Sequence, residues 1–400
     1  MSRDDTASCG FMSRRSLLNA MTAAGLAAGR IWAIEEDEYL VPFADYTSEF
    51  RVEAQASDPR VKCFDLRRMS SGATPNEEFF AFHQTGTPKV DAASWRLPVG
   101  GLVERPKAFS LTDLERRPDR QDVAATIECS GNSGHPQLMN GLVSNGVWTG
   151  VTLASILREC GVKAEAREVV FLGADSEKEE KWQAGNAEFV SPHGRSIFIQ
   201  DAIAPGPMLA FRMNGAPLPA EHGFPLRLIM PGWYGMASVK WLTRIEVIGR
   251  RYEGRHMARN YHSLRSVESP GDTIWLDTSI SKNNLKSVVA RVTRRRVGNR
   301  FLHSIAGAAW GGESRIENVE VRVDDGAWRD ARIDFRSGPF GWLLWSCEWP
   351  DAGTGKHTLV SRAINARNEI QPTRDEWRTR IASNREDNSQ WPRIIVIAGV

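Results

Sequence analysis

The pattern of hydrophobic positions predicts a first domain built mainly on short strands. Trp95, Leu97 and Val99 occupy every second position, which is typical of a strand with one buried face. Continuous apolar runs such as 226–230, which a Pro-Gly pair ends, are typical of strands buried on both faces. Strands are predicted over 91–103, 123–129, 168–172, 226–230 and 239–248.

Two short helices are predicted between these strands. Ser110 can cap a helix at 110–114, and Gly161 follows a Leu-rich helix at 153–160, where left-handed backbone commonly ends a helix. Strands interspersed with helices predict a mixed α/β domain over 75–268.

The pattern changes from residue 269 onward, where short alternating runs replace the mixture of helices and strands. Strands are predicted over 287–292, 318–323 and 357–363. The Asp-Asp-Gly sequence at 324–326 is a hairpin signal. Short strands at this spacing, without long helices, are typical of a β-sandwich. The predicted fold class is therefore α+β: the mixed domain, then an all-β immunoglobulin-like domain over 269–400.

The N-terminal segment 1–33 is predicted to direct export rather than to belong to the fold. Arg14 and Arg15 precede a weakly apolar run, 19–28, that is too short and too rich in Ala and Gly to span a membrane. This arrangement is typical of a twin-arginine signal, and an amphipathic helix is the alternative. We expect a periplasmic or otherwise exported protein without a membrane span in its mature form. Residues 34–74 lack a periodic pattern and are predicted to form an irregular extension.

Composition and charge narrow the function only a little. The 400 residues are 41% hydrophobic and 25% charged, as in a soluble globular protein, and the net charge of +2 argues against a nucleic-acid binder. Fourteen Trp residues suit large cores and cofactor pockets. The five Cys residues form no CxxCH motif, which excludes a c-type haem site, and no zinc or iron–sulfur framework.

Cys129 is the most informative single residue. It lies at the end of a predicted strand, before Ser130, Gly131 and Asn132, in a turn whose backbone amides can surround a ligand. A thiolate is a soft, strongly donating ligand for a transition metal. A lone Cys is more often a small buried hydrophobic residue, so this segment alone leaves both interpretations open.

Three groups of motifs resemble the sulfite oxidase family of molybdopterin oxidoreductases. The first is ECSGN at 128–132, followed by VWTGV at 147–151. The second runs through MNGAPLP, HGFPLR and VKWL between 213 and 242, and the third includes AWGG and DGAW between 309 and 328. The resemblance covers the chain from about residue 74 onward. Its details are most similar to bacterial sulfite dehydrogenases and to the molybdenum subunit of Sox-type sulfur-oxidising systems.

The resemblance implies a molybdenum–molybdopterin cofactor (Mo-MPT), with Cys129 as the metal ligand and Tyr261 as a catalytic group beside the metal. The pterin contacts that it implies are Asp175, His222, Arg227, Ser238, Val239 and Lys240. Arg227 and Lys240 lie in apolar runs where an unpaired charge is costly, which favours an anionic ligand there. Asp175 stands beside a charged run typical of a solvated loop, so a surface carboxylate without a ligand is the alternative interpretation there. For Tyr261 the alternative is a structural tyrosine in the hydrophobic core.

The sequence departs from the family at the positions expected to bind a small anion. Phe82 and Gly134 stand where the family has two arginines, and Gln84 stands where it has a histidine. The loss of two guanidinium groups weakens an anion site unless other groups replace them. The candidate replacements are His83, His135 and Arg195. The substrate is therefore left open.

The resemblance implies an enzyme that oxidises sulfite or a related sulfur compound by oxygen-atom transfer. No haem motif is present in the sequence, so a separate c-type cytochrome is expected to accept the electrons. A homodimer formed through the second domain is also implied. Two alternatives stay open: a molybdenum-dependent reductase on the same fold, and an inactive binding protein that keeps the scaffold.

Overall fold

The computed structural model of the protein describes residues 31–32, 37–45, 58–135, 138–181, 187–350 and 352–398. Apart from Ile31 and Trp32, the predicted export signal lies outside the described residues. In the described part of the chain, we find no helix with the length and apolar character needed to cross a membrane.

Strands dominate both halves of the chain. Those of the first half are β1 (Glu38–Val41), β2 (Val61–Lys62), β3 (Ala81–Phe82), β4 (Leu97–Gly101), β5 (Lys107–Phe109), β6 (Arg120–Glu128), β7 (Val143–Thr152), β8 (Glu168–Lys181), β9 (Ala187–Phe198), β10 (Met208–Met213), β11 (Ala216–Pro217), β12 (Arg227–Ile229) and β13 (Leu242–Ile248). Those of the second half are β14 (His262–Ser269), β15 (Asp272–Ser279), β16 (Lys286–Val297), β17 (Arg300–Trp310), β18 (Ile316–Val323), β19 (Arg329–Asp330), β20 (Arg332–Arg336), β21 (Leu343–Trp349), β22 (Gly355–Asn365), β23 (Ile381–Ala382) and β24 (Arg393–Ile397).

Helices are few and short in the described residues. They are α1 (Leu111–Glu115), α2 (Leu153–Cys160), α3 (Ile199–Ala202), α4 (Arg255–Ala258) and α5 (Arg374–Arg380), with 3-10 turns at Leu66–Arg68, Ala220–His222 and Gly235–Ala237. The two predicted helices are present. Ser110 forms a capping box with Asp113 at the start of α1, and Gly161 ends α2 in left-handed backbone with φ of 72°.

Two sheets form the first domain. One has the order β5-β4-β13-β8-β9, and the other has the order β11-β10-β7-β6 with β12 beside β10. Helix α2 buries Leu153, Ile156 and Leu157 in a core that also contains Val169 of β8 and Leu228 of β12. The sheets and the helix thus share one apolar core, which packs β7, β10 and β12 against β8 and β13.

The second domain is a sandwich of two sheets. Their orders are β1-β16-β17-β21-β20 and β19-β18-β22-β24. Val292 and Trp345 of one sheet pack with Val319 and Ile395 of the other, as inward-facing residues of a β-sandwich do. The predicted α+β fold class, with an all-β second domain, is confirmed.

One apolar cluster joins the two domains. Ile127 and Trp148 of the first domain share it with Trp310 and Trp342 of the second. Since Ile127 lies two residues before Cys129, the candidate metal ligand sits close to the junction between the domains.

The N-terminal extension differs from its prediction as an irregular segment. Glu38–Val41 form β1, which pairs antiparallel with β16 and becomes an edge strand of the second domain. The apolar residues Tyr39 and Leu40 are 56% and 48% exposed, and Val41 is buried. An edge strand held mainly by backbone hydrogen bonds needs no alternating pattern, so no periodic signal marks β1 in the sequence.

Three other boundaries also differ from the predictions. Strand β8 continues to Lys181 through the charged run predicted to be a loop, because it pairs there with β9. Strand β13 begins at Leu242 rather than at 239, since Trp241 adopts a positive φ of 47°. The predicted domain boundary at residue 269 falls at the turn of the hairpin formed by β14 and β15.

Candidate active site

A cavity opens where the ends of several strands of the first domain meet, with about 770 Å³ of empty space counted to its mouth. All eight residues predicted as site residues line it: Cys129, Asp175, His222, Arg227, Ser238, Val239, Lys240 and Tyr261. They come from distant parts of the chain, and the structure brings them together.

The turn after β6 fixes the position of Cys129. The Cys129 N–H donates to the Leu142 carbonyl over 2.9 Å, and the Asn132 N–H donates to the Cys129 carbonyl over 2.9 Å. The Asn132 side-chain oxygen accepts from the Leu142 N–H over 3.0 Å. In the described part of the chain, Cys129, Cys160 and Cys347 are free thiols, and of these three only Cys129 lines the cavity.

The surroundings of the Cys129 thiol disfavour a bare thiolate. Burial raises the pKa of the thiol above its ordinary value, whereas the Gly131 N–H and the charge of Arg385 lower it. A soft cation bound at the sulfur would supply the missing compensation. This environment suits a metal thiolate better than a free nucleophile.

Arg227 provides a fully buried guanidinium in the cavity wall. It donates to the His222 carbonyl over 3.0 Å and to the Ser238 carbonyl over 3.1 Å, and it stacks 4.9 Å above the Trp148 ring. Burial lowers its pKa to about 9, and its Nε has no hydrogen-bond partner among the described residues. An unneutralised guanidinium beside a cavity is a binding feature for an anion.

Lys240 extends this basic wall. Its ammonium lies 3.1 Å from the Phe82 carbonyl, which accepts from it, and 3.1 Å from His83 Nδ1. Burial, followed by the charge of Arg227, lowers the pKa of Lys240 to about 7. Burial, followed by the charges of Arg227 and Lys240, lowers the pKa of His222 to about 3. Basic groups that suppress one another's protonation would be relieved by an anion placed among them.

Asp175 supplies an acceptor on the same cavity. Burial raises the pKa of its carboxyl to about 6, and Oδ1 is buried without a hydrogen-bond partner among the described residues. An amino group of a ligand could donate to this oxygen. A soft thiol, a basic wall and an unsatisfied carboxyl oxygen therefore fit the metal, the phosphate and the amino groups of a molybdopterin.

The comparisons with known proteins agree with this donor set. Residues 84–256 match the family described as Oxidoreductase molybdopterin binding domain, and residues 277–397 match the one described as Mo-co oxidoreductase dimerisation domain. Sulfite oxidase of Gallus gallus is 32% identical over 325 residues, which are 75% of this chain and 68% of that protein. The chain belongs to the sulfite oxidase family. It is a molybdopterin oxidoreductase, and Mo-MPT is its cofactor.

Two further proteins are similar to this chain, and their names describe different activities. An NAD(P)H nitrate reductase of Hordeum vulgare is 30% identical over 345 residues, which are 78% of this chain but 38% of that protein. The crystal structure of the sulfane dehydrogenase SoxCD from Paracoccus pantotrophus matches with a TM-score of 0.72 at 25% identity. That match covers 92% of this chain and 95% of the solved chain.

The two missing family arginines have structural counterparts here. Phe82 lines the cavity. A Cβ atom on Gly134 would lie 2.1 Å from the Trp391 ring, so the indole fills the space beside this residue. Aromatic side chains therefore occupy the space at both positions where the sequence resemblance led us to expect an arginine.

The three candidate replacements do not line the cavity. The Arg195 side chain is buried and donates to the His256 and Ile280 carbonyls, and its charge acts on the cavity-lining Tyr261. His83 contacts Lys240, and His135 lines a neighbouring crevice.

Arg385, which sequence reasoning missed, supplies a guanidinium at this site. It stacks 4.7 Å above the ring of Tyr261, and its charge acts on the Cys129 thiol. Burial raises the pKa of Tyr261 to about 12, so its phenol keeps its proton at neutral pH. Arg385 also lines an open crevice with Trp377 and Trp391. No local signal marks it, because only the folding of the second domain brings it beside the thiol.

Proposed function

We propose that this protein is an exported molybdenum enzyme that oxidises sulfite or a related sulfur compound and passes the electrons to a separate c-type cytochrome. The observation that carries the proposal is that Cys129 and Tyr261 line the same cavity, while the Arg385 guanidinium stacks on the Tyr261 ring and its charge acts on the Cys129 thiol. Sulfur oxidation is also what the names of the chicken and SoxCD proteins describe.

Each residue of the site has a part in this proposal. Cys129 would hold the metal through its sulfur, and the cofactor supplies an oxygen atom for transfer and takes up two electrons. Arg227, Lys240 and His222 would hold the anionic end of the pterin, and Asp175 would accept from its amino groups. Ser238 and Val239 would contact the pterin beside them.

Substrate binding falls to Arg385 and Tyr261 in this proposal. The guanidinium would bind the anionic oxygens of the substrate, and the protonated phenol would donate a hydrogen bond to an oxygen at the reacting centre. The open crevice that Arg385 shares with Trp377 and Trp391 would admit the substrate. The apolar rings of Phe80 and Phe82 would keep bulk water from the inner cavity.

The reverse direction is the second candidate, because a nitrate reductase is among the relatives at 30% identity. In that case the same site would take electrons from a donor and reduce an oxyanion. The proposal of export rests on Arg14 and Arg15 and on the weakly apolar run 19–28, all of which lie outside the described residues.

The first test is the molybdenum content of the protein purified from the exported fraction, followed by sulfite-dependent reduction of cytochrome c. We expect about one molybdenum per chain and turnover with sulfite. A well-folded sample without molybdenum, from cells that make the cofactor, would contradict the proposal. Turnover only with reduced viologen and nitrate would favour the reductase.

A further inference from the structure

We propose that Lys286, at the start of β16 in the second domain, is a positioning residue that sets the Cys129 sulfur and the Arg385 guanidinium in fixed relation. The inference rests on the proposed function in taking Cys129 as the metal ligand and Arg385 as the substrate-binding group. Its evidence is a hydrogen-bond network across the domain junction, centred on Lys286 and Glu128, neither of which lines the cavity.

The Lys286 ammonium is buried, with a side chain that is 1% exposed, and it uses all its donors. It lies 3.0 Å from Glu128 Oε1, 3.3 Å from the Asn132 carbonyl and 2.8 Å from the Asp387 carbonyl. Glu128 and Asn132 stand on either side of Cys129, and Asp387 is two residues after Arg385. One ammonium thus ties together the two segments that meet at the metal site.

Glu128 is held equally firmly on its other sides. Its Oε1 also accepts from the Asn132 side-chain amide over 3.0 Å, and its Oε2 accepts from the Trp310 indole over 2.7 Å. Because this carboxylate immediately precedes Cys129, its fixed position restricts the direction in which the thiol can point.

The segment that carries Arg385 is clamped next to the same turn. The Glu386 N–H donates to the Ser130 carbonyl over 2.6 Å. The Glu386 carbonyl accepts from the Trp377 indole over 3.1 Å and from the Asn284 side chain over 3.2 Å. The contacts of Glu386 and Asp387 therefore leave Arg385 little freedom to move away from Cys129.

Stability alone does not account for a buried Lys–Glu pair. Removing two charges from water costs about as much as their attraction returns, and an apolar pair of similar size often stabilises a fold as well. A charged pair with every donor and acceptor used does fix geometry, and groups behind a metal ligand tune the metal through such geometry. The position of the pair beside Cys129 points to that role.

The test compares Lys286→Gln, Glu128→Gln and the double variant that carries both changes. In the double variant the two amides can hydrogen-bond without charge, so it should recover part of what each single variant loses. Glu168→Gln is the matched control, since Glu168 is also buried and ion-paired, with Arg251, at the end of β8 farther from Asp175. Trp310→Phe removes one hydrogen-bond donor to Glu128 and keeps an aromatic ring in place. If a single Lys286 or Glu128 variant does not fold, the same measurements on Trp310→Phe test the inference.

Three measurements on the full-length protein separate positioning from general stability. Hydrogen exchange, with and without the cofactor, reports protection in peptides covering 129–133 and 384–388. The electron paramagnetic resonance spectrum of the half-reduced metal reports sulfur geometry. Steady-state kinetics reports turnover.

We expect each single variant to lose protection about tenfold or more in both peptides, to shift the spectrum, and to lower kcat roughly 10–100-fold. Trp310→Phe should show the same changes at smaller size, and Glu168→Gln should show none. Loss of protection spread evenly over the chain, or a wild-type spectrum and kcat in the variants, would overturn the inference. Hydrogen exchange measured without the cofactor does not depend on molybdenum. A metal-free wild-type protein would therefore contradict the proposed function, while the exchange measurement would still test the role of Lys286.

Discussion

Among single residues, Lys240 is the one whose charge most depends on a ligand. Its ammonium is buried beside Arg227, and burial followed by that charge lowers its pKa from 10.5 to about 7. Without an anion nearby, the folded chain releases a proton that the unfolded chain keeps until much higher pH. The free energy of unfolding of the unloaded protein therefore rises with pH across this interval, because the unfolded state binds more protons.

We predict that the unloaded protein gains roughly 1–2 kcal/mol of stability between about pH 7 and about pH 8.5 from Lys240. Urea unfolding at both pH values measures the gain, and Lys240→Met should lack this part of the rise. An equal rise in the variant would show that another group is responsible. A bound anion should remove the effect by keeping the ammonium charged.

The metal ligand gives the simplest prediction at this scale. Cys129→Ser should abolish turnover, with a loss of at least about 100-fold, because a hydroxyl is a much poorer donor to a soft metal. The circular dichroism spectrum and export should be unchanged. Cys347→Ser, in the second domain, is the control and should keep its activity. Turnover near the wild-type rate in Cys129→Ser would rule out the assignment.

Arg385→Met tests the substrate-binding guanidinium. We expect the KM for sulfite to rise about 10–100-fold with a smaller fall in kcat, because a charge-assisted contact to an anion is lost. Arg378→Met is the control, since Arg378 lines the same crevice but is 63% exposed and lies near Asp375. Similar KM values in both variants would show that the effect is one of general surface charge.

At the scale of the elements, sequence reasoning succeeded where the signal was local. The cap of α1 at Ser110 and the end of α2 at Gly161 depend on neighbouring residues, so both were predictable. The predictions failed where pairing with another strand, rather than the pattern of the segment itself, decides the outcome. Strand β1 is formed by pairing with β16, and the outer part of β8 is formed by pairing with β9.

The same distinction divides the candidate site. The eight residues found through motifs line one cavity, because the strands and turns that carry them meet around it. Arg385 and Lys286 carry no motif, since their positions come from the packing of the second domain against the first. A residue supplied across a domain junction has no local pattern for the sequence to show.

The turn after β6 also gives a prediction about packing. A methyl group at Gly134 would lie 2.1 Å from the Trp391 ring. We expect Gly134→Ala to lower the free energy of unfolding by about 1–3 kcal/mol, as overpacking does. Replacing Trp391 with Leu in the same chain should restore much of the loss, as measured by urea unfolding. Gly353→Ala is the control, with no atom within 4 Å of the new methyl group, and an equal cost there would contradict the packing explanation.

At the scale of the whole molecule, the second domain matches a family described as a dimerisation domain. We predict a symmetric homodimer in solution, because a self-complementary patch on one domain produces a closed pair. Light scattering at micromolar concentration should give about twice the chain mass of 44.6 kDa. A monomer under these conditions would contradict the prediction of a homodimer.

The tie between Glu128 and Lys286 also has a consequence for the order of events during synthesis. The two residues are 158 positions apart, and Asp387 follows Lys286 by another 101. At a translation rate of about 5–20 residues per second, the turn that bears Cys129 waits roughly 10–30 s for its lysine and longer for the Arg385 segment. A nascent or truncated chain therefore contains the Cys129 thiol but lacks the residues that position it. We expect firm retention of the metal only after the whole chain has been synthesised.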